Sequence, residues 1–154
     1  MNNKPLFLLI TLVLTFGRVM HAQTVSECGD ANFSSCSNLL AKFTLAKSIS
    51  IKPSMYKYGG EKKEFSYFFS KGSTYVITLC DNNPVSNKVL VDLFDKNKRL
   101  IARNYDQTTK KYFNKIYFPC SATGVYYLKY SFQGGKPTCA VSELGVQNHI
   151  IKKL

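Results

Sequence analysis

Five cysteines, Cys28, Cys36, Cys80, Cys120 and Cys139, are the most reactive side chains of this 154-residue sequence. Zinc chemistry would need a C-x-x-C pair or closely spaced histidines. Neither occurs, since the only histidines are His21 and His149. A serine or cysteine nucleophile needs a base beside it, and His149 stands in a lysine-flanked tail, so no triad is expected. Glu61, Glu64, Asp92, Asp95 and Asp106 could formally supply the two carboxylates of glycoside hydrolysis, which keeps a carboxylate-dependent hydrolase as the catalytic alternative. These acids fall at turns and exposed ends, where they serve solubility. Asp92, Asp95 and Asp106 also lack the alternating oxygen ligands of a calcium loop. Gly59-Gly60 and Gly134-Gly135 lack the setting of a phosphate loop and read as turns. The sequence predicts no enzyme, no catalytic residue, no metal and no cofactor.

The role of the cysteines depends on compartment. Lys4 starts a short positive region, Leu6 to Phe16 is apolar, and His21-Ala22-Gln23 offers a small residue for cleavage, so residues 1–22 read as a signal peptide cut after Ala22. The apolar run is shorter than the ~20 residues of a membrane span. Val25-Ser26-Glu27 before Cys28 lacks the small-residue pattern of a lipidation site. The expectation is an exported, soluble chain, periplasmic because no sorting domain follows, with extracellular release as the alternative. In an oxidising compartment five cysteines allow two internal bridges and one leftover thiol. Spacing leaves the connectivity open. The preferred pairs are Cys28 with Cys36, which are local, and Cys80 with Cys120, at the ends of two predicted strands, leaving Cys139 unpaired.

The remaining chemistry is recognition. The formal net charge is +12, which loss of Lys4 and Arg18 would lower by two. Such an excess attracts acidic glycans, lipid head groups or nucleic acid. Two runs, Tyr56 to Lys63 and Thr108 to Lys115, interleave aromatic and basic residues. Lys57, Lys62, Lys63, Lys110 and Lys111 could supply charge, with Tyr58 and Tyr112 as stacking platforms. Strands of period two give the same interleaving with rings inward and lysines outward, without any ligand. The absence of tryptophan weakens the case for a carbohydrate-binding module.

These residues need a scaffold. Residues 23–36 read as a polar N-terminal loop. Ser37 can cap a helix over 37–52, where Leu39, Leu40, Phe43, Ala46 and Ile49 recur at three- and four-residue steps and Pro53 is the stop. From Glu64 the period changes to two. Phe65, Tyr67 and Phe69 share a face, as do Tyr75, Ile77 and Leu79, and the two runs predict a hairpin about Lys71-Gly72-Ser73. Further strands are expected at Val89 to Phe94, Leu100 to Asn104, Ile116 to Phe118, Val125 to Phe132 and Cys139 to Val146. The whole predicts one all-β domain over 53–148, a β-sandwich or jelly roll of about seven to eight strands with one N-terminal helix packed on it, followed by a basic tail at 149–154.

Gly72 to Leu79, Val91-Asp92-Leu93-Phe94-Asp95, Leu100 to Asn104 and Thr123 to Leu128, in that order, resemble the bacterial pre-peptidase C-terminal domain. The chain also resembles small standalone secreted proteins of Gram-negative bacteria that add a helix and a last cysteine-containing strand to that sandwich. The resemblance implies a noncatalytic module, often appended to secreted peptidases and associated with polymer binding or export; no peptidase precedes it here. The expected function is a binding or assembly module for an envelope protein or an anionic polymer such as an acidic glycan or lipid surface. A nonspecific polyanion or nucleic-acid binder is the alternative.

Overall fold

The computed structural model describes Cys28 and residues 31–58, 60–81 and 88–148. The expected signal peptide, half of the expected loop at 23–36, a turn expected from Asn82-Asn83-Pro84 and the tail at 149–154 lie outside them. One helix, α1 (Ala31–Leu40), precedes β1 (Thr44–Ile51), β2 (Lys63–Phe69), β3 (Ser73–Cys80), β4 (Val89–Phe94), β5 (Leu100–Arg103), β6 (Tyr105–Asp106), β7 (Lys111–Tyr112), β8 (Lys115–Pro119), β9 (Gly124–Phe132) and β10 (Ala140–Asn148). Eight strands form two antiparallel four-stranded sheets, ordered β1-β10-β3-β8 (sheet A) and β2-β9-β4-β5 (sheet B). Among the eight strands of the two sheets, only β4 and β5 are consecutive and paired. This is the two-sheet jelly-roll arrangement, with β6 and β7 as a small ribbon between β5 and β8.

The alternation of apolar residues builds the core between the sheets. Ile49 and Ile51, Tyr75, Ile77 and Leu79, Val89, Val91 and Leu93, and Tyr126, Leu128, Tyr130 and Phe132 all face inward and are buried. Phe69 stacks on Tyr75 with ring centroids 3.9 Å apart. The hydroxyl of Tyr130 donates to Ser142 at 2.9 Å, and Ser142 donates to the Thr78 carbonyl at 2.9 Å, so a buried phenol is satisfied inside the core. A second, small core lies on the outer face of sheet A, where Leu40 and Phe43 pack on Val76. Gly145 permits this. A Cβ there would stand 2.8 Å from Leu40 Cδ2, 2.8 Å from Val76 Cγ1 and 2.9 Å from Phe43 Cβ.

The structure corrects several expectations. The helix occupies Ala31–Leu40, not 37–52, and Thr44–Ile51 is a strand, so the all-β unit begins before residue 53. Ala41 takes a left-handed φ of 51° and the Phe43 amide donates to the Leu40 carbonyl, which ends the helix. The three- and four-residue spacing spans two different cores, Leu40 and Phe43 in one and Ile49 in the other. β2 and β3 are not a hairpin. They belong to opposite sheets, and Gly72, with φ 84°, helps carry the chain from one to the other. Their shared inward faces meet across the core instead of side by side.

The disulfides are Cys28–Cys139 and Cys36–Cys80, each with Cα atoms 5.5 Å apart; Cys120 is the buried free thiol and Cys139 is not. The expected pairs Cys28–Cys36 and Cys80–Cys120 fail for a geometric reason. Cys80 and Cys120 do sit at strand ends, but at opposite ends of the sandwich. Cys120 exchanges backbone hydrogen bonds with Gly72 and Ser73 at the start of β3, roughly 24 Å along the strand from Cys80. Cys36 lies on the buried side of α1, directly over the end of β3 and near the Thr78 hydroxyl.

Candidate binding surface

The strand registers place the β1–β2, β5–β8 and β9–β10 connections, with Asp81 after β3 and Lys88 before β4, at one end of the sandwich, which also carries both disulfides. The opposite end has only the shorter connections at 70–72, 95–99 and 120–123. Long connections on a rigid scaffold are where recognition concentrates. All seven residues singled out in the sequence lie at the disulfide end. They form two groups, Lys57, Tyr58, Lys62 and Lys63 around the start of β2, and Lys110, Lys111 and Tyr112 on the β6–β7 ribbon. β2 and β5 are the outer strands of sheet B, so the groups approach from opposite edges, separated by roughly 14 Å of sheet.

In the first group Tyr58 is 77% exposed, with its ring in solvent. Lys57 and Lys62 are exposed. Lys63 departs from the expected role. It is half-buried, bonded to Glu61, with its ammonium 5.7 Å from the centre of the buried Tyr56 ring. Burial, then the charge of Glu61, push Tyr56 up to about 12, so it stays a neutral phenol. In the second group Lys110 turns the ribbon with φ 58° and Lys111 is exposed. Tyr112 packs on Tyr105 at 4.6 Å between centroids. Its pKa is raised by burial first, then by Tyr105 and Asp81.

Tyr112 also lines a cavity of about 600 Å³ at this end, a volume suited to a small ligand or an inserted side chain. Leu39, Leu79, Val89 and Phe113 supply apolar wall; Asn104 and Asn114 supply polar wall. Asp81 and Lys88 form an ion pair within the lining, and Asp81 also accepts the Val89 amide. The Asn104 side chain is committed to the backbone, accepting from Val91 and donating to Val89. Phe113 is 49% exposed at the mouth. Sequence reasoning did not select Leu39, Phe113 or Asn114. Phe113 and Asn114 lay within the run 108–115, whereas Leu39 read as one more residue of a helix stripe.

The electrostatics of this end are one-sided. Lys52, Lys57, Lys62, Lys110, Lys111, Lys115 and Lys136 have no ion-pair partner among the described residues, where the pairs at this end are Lys63–Glu61 and Lys88–Asp81. The acids weighed for hydrolysis are each engaged by neighbouring groups, Glu61 and Asp106 at this end and the others along sheet B. Asp92 is not at an exposed end as expected; it is buried in β4 and held by both Nε and Nη2 of Arg103, at 2.7 and 2.9 Å. Hydrogen bonds from Lys63 and the Lys57 amide hold Glu61 below its ordinary range, and Lys98 does so for Glu64. Arg99 holds Asp95, and Thr109 holds Asp106, in the same direction. Four of these carboxyls are therefore kept ionised, with no raised acid beside them to donate a proton.

No family model matches the chain, and no curated protein matches it in sequence. Among solved structures, PliG of Aeromonas hydrophila, a periplasmic lysozyme inhibitor of g-type lysozyme, is similar at 12% identity with a TM-score of 0.46, over 66% of this chain and 83% of that chain.

Proposed function

We propose that this chain is a noncatalytic, exported binding module that engages an acidic protein surface or an anionic envelope polymer through its disulfide end. The observation that carries the reading is the gathering of lysines without ion-pair partners on the long connections of one end, beside exposed Tyr58 and Phe113 and the Tyr112-lined cavity. Cations on a scaffold tied by two disulfides lose little conformational freedom on binding, so their attraction is not spent on ordering loops. The disulfides support maturation in an oxidising compartment, and the periplasm is the proposed site of action. The strand order read as pre-peptidase-like in the sequence points to the same noncatalytic class.

The test is retention of the chain on a Gram-negative envelope fraction across a salt series. Wild type is compared with K57E/K62E, K110E/K111E and Y112A. Specific recognition predicts that both charge reversals weaken retention and that Y112A removes the part that survives high salt. A nonspecific polyanion binder would lose all retention in moderate salt and ignore Y112A. Retention unchanged in both charge-reversed variants would overturn the assignment to this end.

A further inference from the structure

The four sheet edges of the sandwich are not alike. β1 has a register shift between Leu45 and Lys47, β8 carries Lys115 and Pro119, and β5 is four residues long with a register shift where β4 passes from Leu93 to Phe94. Each device discourages another strand from adding. β2 has no proline and no register shift, and its charges, Lys63 and Glu64, are confined to its first two residues. Lys63–Phe69 pairs with β9 in unbroken register, and its run Phe65-Ser66-Tyr67-Phe68-Phe69 is uncharged, aromatic and free of proline and glycine. On its outer side β2 has no backbone hydrogen-bond partner among the described residues.

Next to this edge, Ala46, Lys47, Tyr67, Phe69, Leu144 and Val146 are among the residues lining an open, largely apolar groove of about 420 Å³. The groove exists because β1 sets Lys47 in register with the inward-facing Leu144, where a large apolar side chain would have closed the flank of the sandwich. Phe68 stands at the same edge, 69% exposed. Lys47 within the groove and Lys71 just past the end of β2 have no ion-pair partner among the described residues.

We infer that the β2 edge and this groove accept an extended segment of a separate, acidic protein, added as a fifth strand to sheet B. Main-chain pairing to β2 supplies affinity, and alternate apolar side chains entering the groove supply selectivity. Carboxylates of the segment meet Lys47 and Lys71. A second copy of the chain fits poorly, because two molecules each of formal charge +12 repel. The groove lies along the Tyr67–Phe69 end of β2, away from the lysines around its start, so the inference goes beyond the proposed function and stands or falls without it.

The experiment pans a displayed library of random dodecapeptides against the full chain and remakes the enriched peptides synthetically. The expected peptides alternate apolar residues and carry Asp or Glu. Their binding shifts the amide resonances of residues 63–69 and slows exchange there. Affinity falls at least about tenfold, a loss easily resolved by titration, when alternate peptide amides are N-methylated and in the F68E and K47E/K71E variants. Phe68 is exposed, so F68E leaves the fold intact. Absence of enrichment, or binding indifferent to N-methylation, would overturn the inference. So would self-association of the chain abolished by F68E, or peptide binding seen only after residues 149–154 are removed; these assign the groove to a second copy or to the chain's own end.

Discussion

Gly145 shows how much a single missing side chain can hold in place. Three atoms from α1, the α1–β1 turn and β3 converge on the space a Cβ would fill, and all three belong to residues of the small core that seats the helix. G145A should destabilise the protein by about 1–3 kcal/mol, the usual cost of overpacking, measured by urea unfolding. It should also loosen α1 before the sandwich, visible as faster amide exchange at 36–40. Nothing near Gly145 in the sequence announces this role, because the atoms it makes room for come from Leu40, Phe43 and Val76, far away in the chain. The site residues were legible to the extent that their chemistry was local. Tyr58, Lys57 and Lys62 are exposed, as an interleaved aromatic and basic run permits. Tyr112 reaches the cavity only because β7 is folded back beside Val89 and Asn104, which no spacing discloses.

Among the elements, the disulfides and the tight turns lend themselves to measurement. Peptide mapping without reduction should recover Cys28–Cys139 and Cys36–Cys80 and a single alkylatable thiol, Cys120, that reacts only after unfolding. The bridges close sequence separations of 111 and 44. On the loop-entropy model, loops of this size each contribute roughly 4–5 kcal/mol; the two loops are nested, so reduction should cost less than their sum. The turns at Asp95 and Asp106 answer to acid. Arg99 and the Asn97 amide stabilise the Asp95 carboxylate, and Thr109 with the Thr108 amide stabilises that of Asp106. A carboxyl whose folded pKa is depressed contributes stability above its unfolded value and loses it as pH falls through the folded one. Both turns should therefore hold at neutral pH and loosen below about 3.8, followed by carboxyl and amide resonances at 95–99 and 106–111. The strands of the two sheets from β2 onward were readable because period two survives in any sandwich, whereas the two-residue strands β6 and β7 are too short to show a period. The segment 44–51 was not readable, because its Ile49 continues the spacing of Leu40 and Phe43, which belong to the other core, and together they mimic a helical stripe.

For the whole molecule, the alternating pattern was enough to place the chain among all-β sandwiches, and it could not decide which strands are neighbours. An inward face at Phe65, Tyr67 and Phe69 and another at Tyr75, Ile77 and Leu79 suit a hairpin and a jelly roll equally; the choice is made by β9 and β10. The charge excess was legible as a number and not as a distribution, since its collection at one end follows from which connections are long. The jelly-roll order has a consequence in time. β10 is the strand that joins β1 to β3, and β9 is the strand that joins β2 to β4. Until residues beyond 124 arrive, β1 and β2 have no partner strand, and among the described residues 44–119 the open pairings are β3 with β8, the β4–β5 hairpin and the β6–β7 ribbon. Such a chain cannot fold progressively as it is delivered. A fragment ending at Thr123 should show no slowly exchanging amides in β1 and β2, whose partners are β10 and β9, whereas the complete chain protects them. Both sheets therefore close only when the last two strands have been delivered.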